Sequence, residues 1–326
     1  MEEVINQAEA TAARKCVSVL VPTYNEEENV IPLTEAIRAE FEKSLPQYDY
    51  DITFIDNCST DTTREKLEAL CAQYSNVRAI FNVRNFGQFN SPYHGICQTT
   101  GDCTVVMCAD FQDPIDMIPK LVAEWENGYK VICAVKKTSK ENKLMRFLRT
   151  CYYKMIRKMS SVELIDHFTG FGLYDRTFVD VLRSLDDSNP FLRGVIAELG
   201  FKKKLVPYEQ AKRRAGKTHN NVLTLYDAAM QSFTTYTKAP VRFFVGLGAF
   251  LLGASCLGAI ACLVLHLVGV RMHDQLWLLP IIGLFGSLNL LATSMVGEYL
   301  LTLRAKVTKR PLVVEERRIN FDQTEK

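Results

Sequence analysis

Two long stretches without formal charge limit the folds open to this chain more than any other feature. From Phe243 to Val270 the sequence reads FFVGLGAFLLGASCLGAIACLVLHLVGV, with no Asp, Glu, Lys or Arg. After RMHDQ, a second run from Leu276 to Gly297 is equally free of charge. A helix of about 20 apolar residues crosses a hydrocarbon core roughly 30 Å thick, so each run is long enough to span a membrane. Burying both as core helices would demand a large soluble domain around them, and the sequence after Gly297 does not read as one. A two-span hairpin is therefore expected. Lys238 and Arg242 precede it, and Arg304, Lys306, Lys309 and Arg310 follow it, whereas the connection carries only Arg271 and His273. The excess of Lys and Arg belongs on the cytoplasmic side, which puts both termini there. The polar N-terminus, MEEVINQAEA, has no apolar core of the secretory type.

The remaining sequence is long enough to bury a sizeable core. A net charge of +2 argues against a nucleic-acid binder driven by bulk charge. The ten cysteines are scattered and show no CxxC pairing, although Cys103 and Cys108 lie close together. They read as reduced thiols in a cytosolic domain.

Along this domain apolar strands alternate with helices. A strand from Val17 to Val21 is followed by Pro22 and an acidic EEE suited to a first helical turn. A second strand, Ile52 to Ile55, leads through a polar turn to a helix from about Thr63 to Tyr74. VRAIFNVRNFG supplies a third strand, TVVMCAD a fourth, and Lys130 to Val135 a fifth after a helix near Met117 to Asn127. Continuous apolar strands of this kind predict a mainly parallel α/β sheet covered on both faces. Ligands bind beyond the carboxyl ends of such strands. The polar clusters PTYNEEE, DNCSTD, RNFGQ and ADFQDP all fall at those ends. The sequence contains no GxGxxG after the first strand, no GxxxxGK[ST] and no GxSxG. A dinucleotide enzyme, a P-loop nucleotidase and a serine-hydrolase elbow lose support accordingly.

VPTYNEEENV, IDNCSTD, RNFGQ and ADFQDP, in this order and spacing, resemble the inverting family 2 glycosyltransferases of GT-A fold. RRAGKTH resembles the Arg-x-x-Gly-x-Ser loop of polyprenyl-phosphate sugar synthases, and the hairpin ending in GEYLLTLRAKVTKRP is similar to the tail of bacterial members and of dolichol-phosphate mannose synthases. The resemblance covers about residues 14 to 315. It implies a flexible segment over 1–14, a cytoplasmic GT-A catalytic domain over 15–221 and a juxtamembrane amphipathic helix over 222–242. The transmembrane hairpin would occupy 243–303 and a cytoplasmic tail 304–326. The implied reaction moves one sugar from a nucleotide-sugar donor, a UDP-sugar being favoured, to the phosphate of undecaprenyl phosphate or a similar polyprenol at the bacterial inner membrane. Mg²⁺ or Mn²⁺ is implied as cofactor, and a homo-oligomer, a tetramer among the options.

The site residues follow from that resemblance and from their own chemistry. Pro22, Tyr24 and Glu26 stand where a base and ribose would rest, or form an ordinary strand-to-helix turn. Asp56 suits a base N–H, and Asn57 follows it where many relatives have Asp; Ser59 and Asp61 serve equally as helix caps. Arg84, Asn85 and Gly87 form the loop that touches the donor by resemblance, or a tight turn. Asp110 and Gln112 offer hard oxygens to Mg²⁺ or Mn²⁺, with Asp113 as a possible further ligand. Cys108 stands where relatives place a carboxylate; a thiol is a soft ligand, so it is expected to pack the strand end or to stand behind the ligands. IDHFTGFGLYDR occupies the acceptor segment by resemblance, with Gly170 and Gly172 in place of an Asp and an Arg; Asp166 and His167 are the candidates for the missing polarity. Arg213 aligns with the loop arginine, and Arg213, Arg214 and Lys217 suit the acceptor phosphate or the donor diphosphate.

Two segments, the basic stretch 143–159 and residues 222–236, carry apolar stripes at helical spacing and suit either a membrane surface or the domain core. PLVVEERRI is expected to be able to add an edge strand to a neighbouring copy. A processive polysaccharide synthase would show a QxxRW motif, which is absent. A catalytically weakened nucleotide-sugar binding protein is the alternative that Cys108, Gly170 and Gly172 favour and Asp110, Gln112 and Arg213 oppose.

Overall fold

The computed structural model describes residues 14–137, 165, 168–185, 190–211, 213–214 and 311–321, with scattered positions between 282 and 303. The chain divides into two units, one of Met1–Arg146, Leu164–Asn220 and Lys309–Lys326, the other of Phe147–Glu163 and Asn221–Thr308.

The first unit is an α/β sandwich built in the predicted alternation. β1 (Cys16–Thr23) leads to α1 (Val30–Ser44), β2 (Asp49–Asp56) to α2 (Thr63–Gln73), and β3 (Val77–Asn82) to α3 (Gly87–Gln98). Then come β4 (Cys103–Val106), α4 (Met117–Glu126) and β5 (Val131–Lys136). Two strands and two helices go beyond the expected set, β6 (Phe168–Asp175), α5 (Arg176–Ser184), α6 (Leu192–Leu199) and β7 (Lys203–Tyr208), and a last strand, β8 (Glu315–Ile319), falls in PLVVEERRI. The eight strands form one sheet in the order β7-β5-β6-β4-β1-β2-β3-β8. β4, β1, β2 and β3 run parallel, as do β5 and β7; β6 and β8 run against their neighbours.

Alternate residues of each strand bury against opposite helix layers, as the pleat requires. Val19 and Val21 of β1 join Leu33, Ile37 and Leu67 from α1 and α2 on one face. Leu20, between them, joins Tyr93, Ile96 and Phe178 from α3 and α5 on the other. Both faces are apolar, which is why the strands carry no polar alternation.

Three expectations need correction here. β1 does not stop at Pro22, which stays in the strand opposite Ile55. The segment holding Gly170 and Gly172 is β6, inserted between β4 and β5. A Cβ at Gly172 would lie 2.2 Å from the Ile132 carbonyl oxygen, and Gly170 has φ +103°, so glycine is demanded at both places by backbone geometry. PLVVEERRI does supply an edge strand, but to its own sheet: β8 pairs antiparallel with β3 through Ala79, Ile80 and Phe81. His94 also pairs with Glu315 at 2.5 Å.

Among the described residues no helix is long and apolar enough to cross a membrane. Most of the two charge-free runs, both amphipathic segments, residues 1–13, Asp166, His167 and Lys217 lie outside the described residues. In the second unit, Ile282, Phe285, Val296, Leu300 and Leu303 are helical and exposed.

Candidate functional site

The carboxyl ends of β1, β2 and β3 are level, since Thr23 pairs with Asp56 and Asp56 with Phe81. β4 ends beside β1, where the Met107 N–H donates to the Leu20 carbonyl at 3.1 Å. The loops leaving these four strands therefore meet on one rim, at the place where open α/β sheets bind ligands.

The loop after β1 is tied to the loop after β2. Asn25 adopts φ +56°, a left-handed conformation that asparagine tolerates better than most residues. Its N–H donates to Ser59 Oγ at 2.9 Å, and its Oδ1 accepts the Thr60 N–H at 2.8 Å. The Glu26 N–H donates to Thr63 Oγ1 at 2.9 Å, and the Glu26 carboxylate accepts from Asn29 Nδ2 at 2.6 Å. Tyr24 is half-buried beside them. Asp56 is fully buried. Its carboxylate accepts the Ser59 N–H at 3.1 Å and the Ser59 hydroxyl, and lies 3.4 Å from Arg64 Nε. Burial pushes the Asp56 carboxyl up. Its bonds fix Ser59, whose Oγ in turn accepts the Asn25 N–H.

Asn57 and Asn85 meet directly: Asn57 Nδ2 donates to Asn85 Oδ1 at 2.9 Å, and Asn57 Oδ1 accepts the Phe86 N–H at 2.9 Å. Asn85 Oδ1 also accepts the N–H of Gly87, whose φ is +91°. Arg84 lies over the Phe86 ring, 4.1 Å from its centre. Asn82 was not singled out by its sequence, yet it ends β3 fully buried and donates to Asn57 Oδ1 and Ser91 Oγ. Its signal was available: a polar residue ending an apolar strand, as Asp56 does.

The turn after β4 is the most elaborate part of the rim. Asp110 Oδ1 accepts the Gln112 N–H at 3.1 Å, and Phe111 between them has φ +61°. Arg213 Nε and Nη2 lie 2.9 Å and 2.8 Å from Asp110 Oδ2. The backbone zips the same two segments together: the Arg214 N–H donates to the Asp110 carbonyl and the Ala211 N–H to the Gln112 carbonyl, both at 3.2 Å. Arg214 lies over the Phe111 ring, 5.1 Å from its centre. Thus the fold brings Asp110, Gln112, Arg213 and Arg214 together.

Asp113 does not join them. Its carboxylate accepts the Cys108 N–H at 2.9 Å and the Tyr208 hydroxyl at 3.0 Å, and burial pushes its carboxyl up. It braces the turn from below, which removes it from the candidate ligands. Tyr208, from β7, was invisible in the sequence because β7 itself was. Cys108 does not pack the strand end: it is exposed. The neighbouring Asp113 carboxylate pushes its thiol well above the ordinary range, so it is neither a thiolate nucleophile nor a ready metal ligand.

A cavity of about 920 Å³ lies elsewhere, between α3, α5 and Pro311–Val313. Its guanidiniums are already used: Arg176 and Arg183 donate to the carbonyls of Cys97, Thr99 and Gly101, closing the end of α3.

Among the described residues no group of three or more His, Cys, Asp and Glu side chains could hold a metal. Asp110 and Gln112 nevertheless fit a magnesium-like ion. Such an ion takes hard oxygens, needs only one or two carboxylates, and completes its shell with phosphate oxygens and water.

The sequence pattern of glycosyl transferase family 2 matches residues 18–183. CsbB of Bacillus subtilis (strain 168), named as a glycosyltransferase, is 30% identical over 90% of this chain and 89% of its own length. The prophage bactoprenol glucosyl transferase homolog of Escherichia coli (strain K12) is 29% identical over 92% of this chain and 98% of its own. A solved structure of glucosyl-3-phosphoglycerate synthase from Mycobacterium tuberculosis with UDP is 18% identical. It covers 71% of this chain and 82% of its own, at a TM-score of 0.45.

Proposed function

Since the chain belongs to glycosyl transferase family 2, we propose that it transfers one sugar, with inversion, from a nucleotide sugar to a membrane polyprenol phosphate. The product is a polyprenyl-phosphate monosaccharide. The bactoprenol glucosyl transferase names of relatives that match over nine-tenths of the chain support this acceptor. The observation that carries the reading is the pairing of Asp110 with Arg213 at the carboxyl end of β4, where an anion-clamping cation and a cation-binding carboxylate share one place.

Asp110 and Gln112 would hold Mg²⁺ or Mn²⁺. When bound, the ion would neutralise charge on the donor diphosphate. The acceptor is a phosphate monoester with a second pKa near 6, largely ionised at pH 7. One of its oxygens forms the new bond to the anomeric carbon as the bond to the nucleoside diphosphate breaks, and no strong base is required. Arg213 and Arg214 offset the charge of the two phosphate groups, with Lys217 three residues further along the sequence. Tyr24, Glu26, Asn57 and Asn85 form the rim on which the nucleotide rests, and a UDP-sugar is the first donor to test.

The acceptor is a lipid, so the chain must reach a bilayer. We assign that role to the hairpin of residues 243–303, with the catalytic unit on the cytoplasmic side of a bacterial inner membrane. The two charge-free runs support it, as does the exposed apolar stripe at Ile282, Phe285, Val296, Leu300 and Leu303. These residues recur at helical spacing along one face, as expected for contact with hydrocarbon.

Purified full-length protein, given a panel of nucleotide sugars, Mn²⁺ and undecaprenyl phosphate, should form a lipid-linked sugar detectable by mass spectrometry. Binding of a nucleotide sugar without transfer to any lipid phosphate would favour the binding-protein alternative.

A further inference from the structure

We propose that Arg213 is the resident counter-ion of Asp110 and surrenders that carboxylate when a divalent cation and a diphosphate arrive together, so the two ligands bind cooperatively. This rests on the reading above, in which Asp110 is a cation ligand.

Both oxygens of Asp110 are engaged. Oδ2 takes two donors from one guanidinium, and Oδ1 takes the Gln112 N–H. The Asp110 side chain is only 6% exposed and that of Arg213 29%, so water screens the pair weakly. A hard cation seeking Oδ2 meets a positive group already there. The guanidinium can leave, but it would then lack an anion while a second cation stays close by, since Arg214 lies over the Phe111 ring of the same turn, 5.1 Å from its centre. A diphosphate removes that penalty: its oxygens match the guanidinium fork, so Arg213 exchanges one anion for another. Cation alone would strand the arginine, and diphosphate alone would leave Asp110 without a counter-charge. Each ligand therefore favours the other, by equal factors.

The exchange needs no large motion. The backbone bonds of Ala211 and Arg214 to the 110–112 turn do not involve the guanidinium. The loop can stay docked while one side chain swings. Arg213 thus acts as a positioning residue that makes cation capture conditional on the donor.

The test is Mn²⁺ binding to the full-length protein in detergent, read by electron paramagnetic resonance with and without UDP, so that no catalysis is involved. In the wild type, UDP should tighten Mn²⁺ binding by about tenfold or more. Arg213→Gln should bind nucleotide-free Mn²⁺ about tenfold more tightly than the wild type, with a smaller further gain from UDP than the wild type shows, since only the direct attraction between ion and diphosphate remains. Nucleotide-free Mn²⁺ affinity that is unchanged or weaker in Arg213→Gln overturns the exchange while leaving the cation site standing. Undiminished Mn²⁺ binding in Asp110→Asn overturns the cation site, and the exchange with it. Should the glutamine variant not fold, the wild type still decides: Mn²⁺ affinity indifferent to UDP sinks the proposal.

Discussion

Asp110 and Arg213 stand 103 residues apart in sequence and meet at one carboxylate oxygen, through contacts of 2.9 Å and 2.8 Å. The contact ties the turn after β4 to the loop after β7.

Removing the carboxylate should abolish catalysis. Asp110→Ala is expected to lower kcat/KM by on the order of 100-fold or more, the scale seen when one preorganised electrostatic contact to a developing charge is deleted. Steady-state assay at saturating Mn²⁺ checks it. A variant within threefold of the wild type would exclude Asp110 from the chemistry.

Tyr208 supports the same turn at one remove. Tyr208→Phe deletes the hydroxyl that Asp113 accepts and leaves a buried carboxylate one donor short. We expect a loss of roughly 1–3 kcal/mol in chemical denaturation. Asp113→Ala should cost at least as much, since it also frees the Cys108 N–H. If neither variant is destabilised, the brace has no energetic role.

Asp175 offers a pH test away from the site. It accepts from Trp125 Nε1 at 2.7 Å, Lys130 Nζ at 3.0 Å and the Thr177 N–H at 3.0 Å. Burial acts to raise its carboxyl pKa, but the Thr177, Trp125 and Lys130 bonds prevail and hold it below the usual range. A depressed carboxylate stabilises the fold above its unfolded pKa, and the benefit fades as pH falls through the lower, folded value. Asp175→Asn should therefore be destabilised relative to the wild type at pH 7, with the gap closing below about pH 4. Urea melts at both pH values would reveal a constant gap if the charge is irrelevant.

The two β6 glycines should respond differently to alanine. Gly172→Ala drives a methyl into the Ile132 carbonyl, against backbone that cannot yield, and should cost about 2–4 kcal/mol. Gly170→Ala meets no atom within 4 Å and suffers only its φ of +103°, so about 1–2 kcal/mol is expected. Equal melting temperatures for the two would remove the steric account of why this strand departs from the charged pattern of relatives.

Cys108→Asp restores the carboxylate that relatives carry. Because Cys108 is exposed beside Asp110, the variant should bind Mn²⁺ more tightly. Carboxylates this close repel one another, so the metal-free variant should also melt at a lower temperature. Unchanged Mn²⁺ affinity would mean that the 108 side chain does not face the cation.

Legibility followed the source of each element's stability. β1 to β5 announced themselves because both faces of a central strand are buried, which leaves continuous apolar runs such as VSVLV and ITFI. β6 was hidden by its glycines and β7 (KKLVPY) by lysines and a proline at the sheet edge, while β8 (EERRI) was legible as an edge strand but not as a partner of β3. Edge strands are held largely by backbone hydrogen bonds, which leave little mark on side-chain pattern.

By itself the sequence determined the alternation of strands and helices, the polar rim at the strand ends and the charge-free runs beyond residue 240. Each arises from interactions within a short window, where burial and turn chemistry select residue types directly. Only the tertiary structure decided that Asp113 faces Tyr208 and not the rim, that Cys108 reaches solvent, and that Arg213 occupies Asp110. Those outcomes depend on which distant segments the sheet order brings together, and no local pattern records them.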